Sequence, residues 1–248
     1  MNVTYLAHSG FLAEWEHFYT LFDWWQGELP ALTQNKPLLV FASHSHKDHF
    51  DPKIFRLDGA RFFLSQDIRL HSRHWERYGV TKEIFSRVTL LRPDSLITAE
   101  AGGASLTIRT FKSTDTGVAF LLSAENRLVY HAGDLNLWYW EEEGTAYCEA
   151  MQAAYRQAMS KLSAAVQDEA ADTGCSPVLD AAMVPLDPRL NEYFDLGLSE
   201  LLQYVTVKHI FPMHMWDRYD WIARYCDKHP QDAELIVPIR HKGESFLI

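Results

Sequence analysis

Cysteine is scarce. Cys148, Cys175 and Cys226 are the only three in 248 residues, odd in number, widely spaced and without a Cys-x-x-Cys pair. That pattern argues against a disulfide framework and for free thiols in a reducing compartment. Long apolar runs are missing as well: no stretch approaches the roughly 18 to 20 residues that cross a bilayer, and the amino terminus lacks a basic segment followed by an apolar signal core. A soluble, cytoplasmic protein with no membrane partner is expected. Positive charge is in short supply, 23 Lys and Arg against 33 Asp and Glu for a formal net charge of −10, and no basic run is visible. Broad phosphate-backbone binding needs a basic footprint, so no nucleic-acid partner is expected and the case for a nuclease weakens. Internal repeats and low-complexity linkers are also absent. What remains, 47% hydrophobic and 13% aromatic residues, supports one large core, so residues 1–248 read as a single domain.

The most informative stretch is Phe41-Ala42-Ser43-His44-Ser45-His46-Lys47-Asp48-His49-Phe50, which puts three imidazoles and a carboxylate directly after an apolar run. Leu38 to Ala42 reads as a buried strand, and the His-rich segment is the loop leaving its carboxyl end. His44 and His46, two apart, point the same way from an extended backbone. Asp48 and His49 reach the neighbouring volume once the chain turns into the helix start at Asp51-Pro52-Lys53-Ile54. Imidazole and carboxylate together suit zinc, with iron or manganese as alternatives.

His44-Ser45-His46-Lys47-Asp48-His49, followed by Tyr130-His131-Ala132-Gly133-Asp134 and Phe211-Pro212-Met213-His214, resembles the ordered metal motifs of the metallo-β-lactamase superfamily. His8-Ser9-Gly10-Phe11-Leu12 and the His-Ala-Gly-Asp motif are similar to the branch containing L-ascorbate-6-phosphate lactonase. The resemblance implies an α+β fold, a four-layer αββα sandwich of two mixed β-sheets flanked by helices, with metals at the edge where strand-end loops converge. It implies two divalent ions, zinc first with Mn2+ or Fe2+ as alternatives. His44 and His46 with Asp115 would hold one ion, Asp48, His49 and His214 the other, and Asp134 would bridge, Gly133 permitting close backbone approach. Water shared by such ions is acidified towards neutrality and serves as the nucleophile, with Asp48 and Asp134 as the catalytic carboxylates. The expected activity is hydrolysis of an ester, lactone or phosphoester of a small molecule.

The chain departs from that pattern at Lys112-Ser113-Thr114-Asp115-Thr116-Gly117, where the superfamily usually places a further His. Asp115 is the nearest replacement donor, Ser113 occupies the more literal position, and turn capping is the alternative for Asp115. A carboxylate there makes the first site harder, away from zinc and towards iron or manganese. If the lost His abolished that site, a non-hydrolytic metal-binding sensor would result. A metal-dependent phosphodiesterase or nuclease would use the same ligands but demands a basic rim.

The remaining segments arrange themselves around these motifs. Val3 to His8, Gly10 to Glu14 and Tyr19 to Asp23 read as an opening meander. His8, at a strand end, is a candidate to face the metal pocket, where it would support a ligand or contact substrate, and Asp23 is placed to support the histidine loop by hydrogen bonding. Asp67 to Tyr78 has helical spacing, with His71 and His74 on a solvated face. Val88–Leu91, Ser95–Thr98, Leu106–Phe111, Val118–Leu122 and Arg127–Tyr130 are short strands expected to form the second sheet. His131 is expected to point into the hydrogen-bond network, and Leu137-Trp138-Tyr139-Trp140 offers an aromatic wall. Residues 142–172 read as a long amphipathic helical insertion that packs on the sandwich, covers the site mouth or meets a second subunit in a homo-oligomer. Arg189, in the loop after strand Ala181–Leu186, can hold an anionic part of the substrate or pair with Asp187. Leu198 to Val205 and Trp216 to His229 read as helices, with Glu234–Pro238 and Glu244–Ile248 closing the sheet.

Overall fold

Short strands with apolar residues on alternating faces build two sheets, and the first is covered on both sides. The computed structural model describes residues 1–33 and 35–248, the side chains of Arg73 and His74 excepted. The first sheet contains β1 (Asn2–Ala7), β2 (Gly10–Glu14), β3 (Tyr19–Phe22), β4 (Leu38–Ala42), β5 (Arg61–Ser65), β6 (Val88–Leu91) and β13 (Glu244–Leu247), in the order β13-β1-β2-β3-β4-β5-β6. Its first strands are an antiparallel meander, whereas β3 to β6 run parallel. The second sheet contains β7 (Leu96–Ala101), β8 (Ala104–Lys112), β9 (Val118–Ala124), β10 (Arg127–His131), β11 (Val178–Pro185) and β12 (Thr206–Met213), in the order β12-β11-β10-β9-β8-β7. Here β7 to β10 are antiparallel and β10 to β12 parallel.

Strand β4 shows how the period of two sorts side chains. Leu39 and Phe41 turn into the core between the sheets, while Leu38, Val40 and Ala42 enter a separate cluster on the outer face. Phe41 stacks between Phe22 and Phe63 on the neighbouring strands, 5.1 Å from each ring centroid, and meets Phe120 of the opposite sheet edge-on at 5.3 Å. The outer cluster is closed by the turn Pro52–Arg56 and by α1 (Ser72–Tyr78) and α2 (Lys82–Ser86). On the other side lie α3 (Thr145–Thr173), α4 (Leu196–Leu201) and α5 (Asp220–Lys228), with Tyr155, Met159, Leu162 and Val166 of α3 buried against the second sheet. The result is the expected four-layer sandwich of two mixed sheets flanked by helices.

Several boundaries differ from the sequence reading. Val88–Leu91 belongs to the first sheet rather than the second, pairing in parallel with β5 through Leu64 opposite Leu90, because α1 and α2 carry the chain back as a crossover. The long helix spans Thr145–Thr173, ended by Gly174 in the left-handed conformation. The helix expected from Asp67 starts at Ser72, and the side chain of His74 lies outside the described residues. Left-handed φ values at Trp216 (54°) and Asp217 (60°) delay α5 to Asp220. Glu234–Pro238 forms no strand; it makes the turn Ala233–Leu235 and a single bridge from Ile236 to Ile210, so Glu244–Leu247 alone extends the sheet, beside β1. Among the described residues no helix is long and apolar enough to cross a membrane.

The topology has one consequence for chemistry: β1, β3 and β4 in one sheet and β10, β11 and β12 in the other all end at the same edge. The backbone N–H of His214, after β12, donates to the carbonyl of His8, after β1, at 3.1 Å and joins the two sheets there. Phe41→Ala should cost about 3–5 kcal/mol in urea unfolding, since its ring touches three others at the centre of the sandwich. Leu96→Ala, at a position 57% exposed on an edge strand, should stay within about 0.5 kcal/mol. Equal effects of the two changes would contradict this packing.

Candidate metal centre

The edge gathers donor atoms from four strand ends, those of β1, β4, β10 and β12. Nitrogen or oxygen atoms of His8, Asp48, His49 and His214 all lie within 4.8 Å of one another, and those of His44, His46 and Asp134 form a second such group. Asp134 stands between them: Oδ2 is 3.3 Å from His44 Nε2, while Oδ1 is 3.0 Å from His49 Nε2 and 3.5 Å from His214 Nε2. His44 Nε2 and His46 Nδ1 are 3.0 Å apart. Asp48 Oδ2 faces His8 Nε2 at 3.5 Å and His214 Nε2 at 4.0 Å. The three sequence motifs thus meet at one place.

The buried imidazoles of His44, His49 and His214 are each held by the other nitrogen. Asp23, fully buried after β3, accepts from the Ser43 backbone N–H at 2.7 Å, from the Ser43 hydroxyl at 2.6 Å and lies 2.7 Å from His49 Nδ1. The Ser43 hydroxyl also lies 2.9 Å from His44 Nδ1. Asp187, after β11, is 2.7 Å from His214 Nδ1 and pairs with Arg189 Nη2 at 2.6 Å. Partners of this kind fix tautomer and ring direction and turn Nε2 inward. Tight backbone geometry supports the arrangement. His8, Asp23 and His214 adopt left-handed φ values of 53°, 43° and 63°, a conformation that non-glycine residues hold only under external constraint. A side chain at Gly133 would put its Cβ 2.6 Å from Ser43 Cβ, and one at Gly117 would overlap the Ser43 carbonyl and His44.

The electrostatics call for a cation. His8 Nε2, His49 Nε2, His214 Nε2 and Asp134 Oδ1 are buried without a hydrogen-bond partner, an arrangement costly in a neutral interior. Burial opposes charge on His49, yet Asp134 and Asp23 outweigh it and raise the imidazole to about 10. Burial would likewise raise the Asp134 carboxyl, but His49 and His44 hold it well below the usual range. Asp48 is also held low, where the contact with His8 and the charge of His49 overcome burial. His8 itself is lowered to about 4, chiefly by burial. Ionised carboxylates facing converging, unpartnered Nε2 atoms form a cluster able to bind metal, and the donor set fits a divalent cation.

Other residues singled out in the sequence fall in varied places. Asp115 reaches this cluster only through His46, at 4.0 Å and half-exposed; Ser113 instead accepts from the Asp115 backbone N–H at 3.1 Å, shaping the turn. His131 is buried with Nε2 2.9 Å from the Ser9 carbonyl. Arg189 does pair with Asp187, and it also lies over the Trp216 ring at 4.7 Å while lining a cavity of about 220 Å3 with Asp134, Trp138, Trp140, Tyr147 and Met151. Sequence reasoning gave Asp187 no part in orienting His214; its place at a strand end, like Asp23, was the available signal. It also assigned Tyr147 and Met151 no role at the mouth, because helix periodicity does not say which end of α3 overhangs the loops.

No family model matches the chain. A UPF0173 metal-dependent hydrolase from Opitutus terrae is 29% identical over 146 residues, which are 56% of this chain and 64% of that protein, so the match spans less than two thirds of the relative's length. Among solved structures, Igni18, a metallo hydrolase from the archaeon Ignicoccus hospitalis, aligns over 100% of this chain and 98% of its own with a TM-score of 0.57 and 19% identity. YhfI of Bacillus subtilis, a metallo-β-lactamase fold protein, aligns over 99% of both chains with a TM-score of 0.53 and 12% identity. The fold is therefore that of the metallo-β-lactamases. Asp23→Asn, which removes the charge behind His49 and Ser43, should weaken metal binding by about 10- to 100-fold. Competition with a chromogenic chelator measures it, and wild-type affinity in the variant would contradict the supporting role.

Proposed function

We propose that this chain is a metal-dependent hydrolase that cleaves an ester, lactone or phosphoester of a small molecule at the His/Asp cluster. The observation that carries this reading is the Asp134 carboxylate, with Oδ2 towards His44 and Oδ1 towards the unpartnered Nε2 atoms of His49 and His214. Two divalent ions are proposed, one towards His44 and His46, the other towards Asp48, His49 and His214, with Asp134 shared. Zinc suits this donor set, and Asp115, as a further donor beside His46, would shift preference towards manganese or iron. The resemblance to a relative named as a metal-dependent hydrolase supports the activity class, and the His8 and His-Ala-Gly-Asp strings favour a lactone among the candidate substrates.

Bound divalent ions supply Lewis acidity towards a scissile carbonyl or phosphoryl group and lower the pKa of water. The chain's own residues define the rest. In the group of His8, Asp48, His49 and His214, Asp48 is the member that is not buried, so it can accept a hydrogen bond from water and aim that water at the substrate. Its depressed pKa keeps it ionised for that task rather than acting as an acid. His8 is buried against Trp25, Trp216 and His214 and lies 3.5 Å from Asp48, which supports a role with the donor set over substrate contact. Arg189 is half-exposed, anchored by Asp187 and beside Asp134 in the cavity, and is placed to receive an anionic part of the substrate. Trp138 and Trp140 line the same cavity, with the Arg189 guanidinium 5.9 Å from the Trp140 ring centroid.

Asp134→Ala should lower turnover by about a thousandfold or more and remove at least one ion, because one carboxylate serves both donor groups. Metal per chain by mass spectrometry, with a panel of esters, lactones and phosphoesters, reads both; full metal content with undiminished turnover would overturn the assignment. Asp115→Ala should weaken metal binding beside His44 and His46 while sparing the His214 side. If Asp115→Ala holds two ions with wild-type affinity, Asp115 is a turn residue only.

A further inference from the structure

The cavity beside Asp134 does not end at the aromatic wall. It shares Thr114 and Asp115 with a second cavity of about 260 Å3, whose walls include Lys112, Ala154, Gln157 and Lys161. Along α3 the lining residues run Tyr147, Met151, Ala154, Ala158 and Lys161, a stripe at helical spacing that extends about 21 Å at 1.5 Å per residue. Small side chains at Ala154 and Ala158 keep the trough open where longer ones would fill it. The opposite wall is stiff: the Thr114 hydroxyl donates to the Asn136 carbonyl at 2.6 Å and accepts from the Asn136 N–H at 3.1 Å.

The charges along this trough are ordered. Asp134 and Asp115 stand at the near end and the middle, and Lys112 at the far end. Lys161, its neighbour there, is already committed to Asp94 at 2.8 Å. Among the described residues no carboxylate lies within ion-pair distance of Lys112, although acidic groups dominate the chain. A free ammonium at the far end can pair with an anionic terminus while the other end of the substrate reaches the donor groups. Resting on the hydrolase reading above, we propose that the trough along α3 is a distal substrate subsite, which selects elongated substrates with an anionic terminus held by Lys112.

The test uses the metal-loaded, full-length protein and 4-nitrophenyl esters in matched pairs, a neutral alkanoate against the hemiester of a dicarboxylic acid of equal length, from succinate to sebacate. The ratio of kcat/KM for hemiester over neutral ester should peak at one chain length. In Lys112→Glu that peak ratio should fall about tenfold, through KM rather than kcat. Ala154→Met, an exposed helix position that tolerates the longer side chain, should reduce the ratio for long hemiesters more than for short ones. A ratio indifferent to chain length, or unchanged in Lys112→Glu, overturns the subsite. A second measurement does not depend on turnover: suberate should quench the tryptophan fluorescence of the wild-type protein and bind about tenfold more weakly to Lys112→Glu. Suberate binding that depends on Lys112 without cleavage of any ester, lactone or phosphoester would sustain the subsite and refute the hydrolase reading. Equal suberate affinity in both proteins refutes the subsite, whatever the esters show.

Discussion

The buried carboxylate of Asp23 is the contact on which the rest of this site depends. It lies after β3 with no exposure to solvent, and it binds both ends of the histidine loop: the backbone and hydroxyl of Ser43 where the loop begins, and the imidazole of His49 where it closes. Burial penalises its charge, but His49 and His131 hold it ionised all the same. Loop closure by a single charged group lets the segment from His44 to His49 present His44, His46, Asp48 and His49 in different directions at fixed spacing. The neighbouring sheet repeats the device, since Asp187 fixes His214 from behind.

Such a cluster is poorly satisfied by protein atoms alone. Four converging polar atoms lack hydrogen-bond partners, and left-handed backbone is imposed at His8, Asp23 and His214. Both features raise the free energy of the native chain, and a cation that supplied the missing partners would offset that cost. The strained residues sit at the one edge where both sheets end their parallel strands. The aromatic ladder of Phe22, Phe41 and Phe63 beneath them is regular and well packed, and it can bear that cost.

Much of this was legible in the sequence, for specific reasons. His44, His46, Asp48 and His49 follow an apolar run that can only be a strand, so their convergence is local and readable. Asp134 and His214 share that signature, a polar ligand directly after a buried strand. Relations that depend on long-range packing were not readable. The side on which β6 would pair follows from the crossover through α1 and α2, which no short pattern encodes. The burial of His8 depends on Trp216, more than two hundred residues away in the chain, and the overhang of Tyr147 and Met151 depends on how α3 lies across the second sheet. The double duty of Asp187 was hidden because an Asp-x-Arg pair reads as an ordinary surface contact.

The donors come from two different sheets: His8, His44, His46, Asp48 and His49 from the first, Asp134 and His214 from the second. An ion gripped by both halves is a rivet through the seam of the sandwich. Its binding free energy is drawn from the docked arrangement and is lost when the halves part, so occupancy and sheet docking are thermodynamically linked. On the reading proposed above, the edge assigned to chemistry would also set how firmly the two layers are held together.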